Sequence, residues 1–123
     1  MANICTGVMI VKGSERRLKA VDDVLMKRAD KHLARSNFFF DSGEKGLRRY
    51  NFECAWSVYS CMCAGNHTYY GTGEDRTLTT LREISGDNRV CIEVFSEEVG
   101  IGFTEHFIFD KGCKILAECE DME

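Results

Sequence analysis

The chain predicts one α+β domain, a mostly antiparallel sheet with two helices on one face. Three observations predict it. Residues 90–117 alternate apolar and polar across two Gly-bearing turns, the mark of a half-buried antiparallel meander. Leu18, Val21, Leu25, Ala29 and Leu33 recur at spacings of three and four, the stripe of an amphipathic helix. A length of 123 residues suits a single core, so residues 1–123 are one domain.

Taken in order, Ile4, Val8, Met9, Ile10 and Val11 make a nearly continuous apolar run. It reads as a first strand over 3–12, central and buried on both faces. Ser14 is a suitable N-cap for a helix running to about Arg35, whose outer surface carries Arg16, Lys19, Lys27, Lys31 and Arg35. Phe38 to Phe40 form a strand, Asp41 to Gly46 have turn chemistry, and Tyr50, Phe52, Cys54 and Trp56 alternate as the return of a hairpin. Residues 57–63 are compatible with a helical turn and 64–73 with a loop. Glu74 or Asp75 caps a shorter helix through Leu78, Leu81 and Ile84, ended by Ser85 to Asn88. The meander follows, and the acidic tail 118–123 frays. Strand, helix, hairpin, helix and three strands is the order of a ferredoxin-like two-layer sandwich.

Composition narrows the setting. The chain is 44% hydrophobic and 29% charged, with a net charge of −4. No apolar run approaches the roughly 20 residues of a membrane span. The N-terminus lacks a basic region and a small-residue cleavage site, so a cytoplasmic location is expected. Seven cysteines, an odd number mostly on apolar strand positions, read as free thiols. Charge is segregated: residues 1–50 carry 11 Lys/Arg against 6 Asp/Glu, and residues 51–123 carry 5 against 14.

Several groups are candidate carriers of chemistry. Cys61-x-Cys63-x3-His67, with Cys54 upstream, offers soft metal ligands at an unusual spacing, and the free-thiol reading is preferred; no cofactor is expected. Glu105 shares an apolar strand face with Phe103 and Phe107, so it needs a partner or a place at the sheet margin. His106 points the other way and makes a poor dyad with it. No nucleophile elbow, phosphate loop or dinucleotide fingerprint is present, and the chain is read as a non-enzyme.

Two binding surfaces remain. Glu93, Glu97, Glu98, Glu105, Glu118, Glu120 and Asp121, with Tyr69 and Tyr70 as aromatic anchors, would dock on a basic partner. Alternatively Arg16, Lys19, Lys27, Lys31, Arg48 and Arg49 would contact nucleic acid. A homo-oligomer through an edge strand near 113–119 is also open.

Met1-Ala2-Asn3-x-Cys5, Gly13 before a long helix, Ala55-Trp56-Ser57, and Glu97-Glu98-x-Gly100-x-Gly102-Phe103 together resemble the YubB-type ferredoxin-like domains. These are small proteins of unknown function on phages and mobile elements. Ile4 stands where a Trp is typical, and the proline-rich continuation is absent. The resemblance implies a mobile-element origin and no reaction. With the acidic surface it implies a protein-binding inhibitor of a bacterial defence nuclease, anti-CRISPR in its sharpest form, that occludes a nucleic-acid groove.

Overall fold

The computed structural model describes residues 3–64 and 77–122. Six strands form one antiparallel sheet: β1 (Ile4–Lys12), β2 (Ser36–Glu44), β3 (Leu47–Ala55), β4 (Cys91–Glu98), β5 (Phe103–Asp110) and β6 (Cys113–Asp121), in the order β2-β3-β1-β4-β5-β6. Two α-helices, α1 (Glu15–Leu25) and α2 (Leu81–Asn88), and a π-helical turn at Tyr59–Cys63 accompany it.

This corrects the expected ferredoxin-like sandwich with two helices. The closing meander carries the same sheet two strands beyond β4, and a third helical element is present. The reason lies in β6. The bulge at Ile115 breaks the apolar alternation of Cys113, Ile115, Ala117 and Cys119, and every residue of the strand but Leu116 is exposed. Residues 118–121, expected to fray, are instead paired with 103–106 of β5.

The first strand is buried on one face, not both. Cys5, Met9 and Val11 are in the core, with Tyr50, Phe52 and Cys54 of β3 and Ile92 and Val94 of β4. The intervening residues of β1 line an open face, where Ile4 and Thr6 are exposed. The two faces follow from strand alternation, and the β1–β4 register sets Met9 beside Val94 and Val11 beside Ile92.

Helix α1 buries Leu18, Val21 and Leu25 and stops ten residues before the predicted end at Arg35. Lys27 takes a left-handed φ of 60°, and the Arg28 N–H turns back to the Asp23 carbonyl at 2.7 Å. The Arg28 guanidinium grips the Asp22 and Asp23 carboxylates, closing the helix end. Leu33 reaches the core from the connecting segment, so its apolar spacing was real and its helical reading was not. Ser14 occupies the N-cap without a side-chain bond. Helix α2 begins later than predicted. Its cap is Thr80, whose hydroxyl accepts the Glu83 N–H at 3.1 Å, a T-x-x-E capping box. Leu78 lies outside this helix, bridged to His32, and Ser85–Asn88 belong to it.

Tyr50 ties the sheet to α1. Its hydroxyl donates to Asp22 at 2.6 Å, and burial, then the Asp22 carboxylate, pushes the phenol well above its ordinary pKa. Tyr50→Phe is expected to lower unfolding stability by about 1.5 kcal/mol, the low end for a bond to a charged group. Urea denaturation with an unchanged slope checks this.

The two sheet edges differ in chemistry. The straight part of β2, residues 36–40, carries no charge and leaves Phe39 and Phe40 each 54% exposed. The straight part of β6 carries Glu118, Glu120 and Asp121, while a bulge at Ile115 interrupts its other half.

Candidate functional site: the open sheet face

The helices cover one face of the sheet. The other holds a groove of about 810 Å³ lined by residues of all six strands. Strand alternation sends Glu53, Glu97, Glu118 and Glu120 into it, and no Lys or Arg among the described residues lines it. Phe39 and Phe95 supply aromatic walls, Phe95 being 43% exposed.

One wall is fixed by a stack and a hydrogen bond. The His106 ring lies on Phe95 with centroids 4.1 Å apart and planes at 21°. Its Nε2 meets Glu93 Oε2 at 2.8 Å. Phe95 and His106 are direct cross-strand partners, and Glu93 is the next residue on the same face.

At the floor, β1 passes through Gly7. A Cβ there would stand 2.0 Å from the Phe95 carbonyl oxygen and 2.6 Å from the Phe52 ring. Only glycine lets β1 and β4 approach so closely.

The expected acidic set divides. Glu93, Glu97, Glu118 and Glu120 do share the open face. Glu98 is buried, and its carboxylate accepts the Gly100 and Ile101 N–H groups at 2.6 and 2.7 Å, shaping the β4–β5 turn. Glu105 is also buried, on the helix-bearing face. It accepts the Val58 N–H (2.8 Å), the Tyr59 N–H (3.0 Å) and the Ser96 hydroxyl (2.9 Å), and so fastens the start of the π-helical turn to β5. Its anchoring meets the expectation that it needs a partner, and places it opposite His106. Asp121 aligns with Phe103 on the face opposite the groove. Tyr69 and Tyr70 lie outside the described residues.

The basic set is also dispersed. Lys19 pairs with Asp23 at 2.7 Å, Arg48 with Glu15 at 2.9 Å and Arg49 with Asp41 at 3.2 Å. The Glu15 carboxylate holds the Arg48 guanidinium above its ordinary range. Lys27 donates to Asn37. Arg16 and Lys31 are exposed on separate segments. Arg48 and Arg49, adjacent on β3, point to opposite faces.

All seven cysteines are free thiols. Cys54 and Cys61 are buried and Cys63 is half-buried; burial, then the Glu105 charge, pushes the Cys63 thiol up to about 12. His67 lies outside the described residues. Among those described, no three His, Cys, Asp or Glu side chains are arranged to hold a metal. No helix among them is long and apolar enough to cross a membrane.

Of the Glu93–His106–Phe95 wall, only Glu93 is among the residues expected from sequence. Its only signal was that all three occupy one period-two face; the register that brings them together depends on the length of the 99–102 turn. No family model, no curated protein and no solved structure matches the chain.

Proposed function

We propose that the protein is a non-catalytic binding module whose open sheet face receives a basic segment of a partner protein. One observation carries this reading: a groove of about 810 Å³ is lined by five glutamates, four of them (Glu53, Glu97, Glu118 and Glu120) on the open face, and, among the described residues, by no lysine or arginine. Such a surface attracts Arg and Lys side chains by charge, speeding encounter and disfavouring acidic partners. Phe39 and Phe95 offer ring faces on which a guanidinium stacks while the carboxylates take its N–H groups.

In its narrower form, the proposal takes the partner to be the basic nucleic-acid groove of a bacterial defence nuclease. The acid row of β4 and β6 would then stand where phosphates bind and exclude the nucleic acid. The mobile-element resemblance motivates this target; the charge of the face supports it.

A tagged pull-down from bacterial lysate at two salt concentrations, with and without added nuclease, tests the reading. A protein partner that survives nuclease and is lost at high salt is expected. The triple reversal Glu97→Lys, Glu118→Lys and Glu120→Lys should weaken its capture at least about tenfold and flatten the salt dependence. These side chains are exposed, so the thermal midpoint should hold. Unchanged capture by the reversed protein would sink the proposal. Partners that vanish with nuclease would move the assignment to nucleic acid.

A further inference from the structure

A second groove, of about 420 Å³, opens on the helix-bearing face between the π-helical turn and strands β5 and β6. Strand β5 forms its floor, with Phe103, Glu105 and Phe107 in sequence on that side. Tyr59 stands over it, 57% exposed, and Ala117 and Cys119 close it from β6.

Among the described residues, no cation balances the charge at this floor. Glu105 is 4% exposed. Every donor that the described residues give it is neutral: two backbone N–H groups, the Ser96 hydroxyl and, at 3.9 Å, the Cys5 thiol. A buried carboxylate ordinarily has a cationic partner. Here the negative end is flanked by aromatic rings, whose faces also attract cations.

We propose that this groove binds a small organic cation with a methylated ammonium head, of which choline is the simplest probe. The chemistry selects the methylated form. Oε1 accepts from Val58 and Ser96 and Oε2 from Tyr59, so about one lone-pair site, on Oε2, is left for an ammonium that must donate several. A quaternary head needs only the electrostatic field and apolar walls, and the groove supplies both. This site opens on the helix-bearing side, shares Glu105 and Glu118 with the lining of the acidic groove, and is argued from the aromatic rings beside Glu105 rather than from the acid row of the open face.

Titration of the 15N-labelled protein with choline chloride, followed by amide shifts, is the test. Shifts are expected to centre on Tyr59 and residues 103–107, with a dissociation constant of about 1 mM, the level a ligand of so few atoms reaches. The neutral isostere 3,3-dimethylbutan-1-ol should bind at least about tenfold more weakly. Tyr59→Ala removes a ring but keeps the backbone N–H, so it should weaken choline several-fold with the unfolding midpoint unchanged. Glu105→Gln, where it folds, should abolish binding. Absence of choline shifts, equal binding of the isostere, or shifts centred on Phe39 and Phe95 would each overturn the proposal.

Discussion

Glu105→Ala is expected to cost about 4 kcal/mol of unfolding stability, since each stranded buried donor costs about 1–3 kcal/mol. Three strong donors converge on this carboxylate, and two of them are the backbone N–H groups of Val58 and Tyr59. Alanine offers them no acceptor, and Val58 and Ser96 are too buried for water to replace it. A domain of this size has about 5–15 kcal/mol in total, so the loss would be a large share. Glu105→Gln keeps one acceptor oxygen but turns an NH2 group toward the other donors, and about 2 kcal/mol is expected. Chemical denaturation read by circular dichroism measures both, with Glu97→Ala as the exposed control. Hydrogen exchange at Val58 and Tyr59 should accelerate in the alanine variant. A melt matching that of the wild type would show that the anchoring adds nothing.

Gly7→Ala should be nearly as damaging, at about 3 kcal/mol or more, because overpacking a core costs about 1–3 kcal/mol even when side chains can yield. Here the nearest obstacle cannot yield alone. It is the Phe95 carbonyl oxygen, 2.0 Å from the new Cβ, on a strand paired to β1 along seven residues. The Phe52 ring at 2.6 Å closes the other direction. Relief requires β1 and β4 to part, which also moves Phe95 and disturbs the His106 stack at the groove wall. The test combines a thermal melt with the amide spectrum of β4. A variant as stable as the parent would mean that the sheet relaxes freely at this point.

Which parts of this molecule were legible in the sequence depends on the range of the interaction. The element order was legible, because alternation and three-four spacing are local. The need for a partner at Glu105 was also legible, from a charge flanked by Phe103 and Phe107. Its partners were not, since Val58 and Tyr59 lie 47 and 46 residues away and donate from backbone that carries no residue signature. The end of α1 was misread because Leu33 keeps the helical spacing while reaching the core from a loop; the deciding contacts are Arg28 with Asp22 and Asp23. Three strands in the meander were evident, but nothing local says whether a sheet stays bare at its margin. That required seeing the bulge at Ile115 interrupt the apolar alternation of β6 and leave the strand exposed.

The unlike edges of the sheet bear on how large any assembly of this chain can grow. Strand pairing between copies at β2 would bring Phe38, Phe39 and Phe40 against their own kind with no charge opposed. Each copy would then present only β6 outward, where a second pairing sets Glu118, Glu120 and Asp121 near identical carboxylates. One permissive end and one repellent end give a chain reaction that terminates at its first step. Association through edges would then close at two copies, where a sheet permissive at both ends would propagate into a fibre.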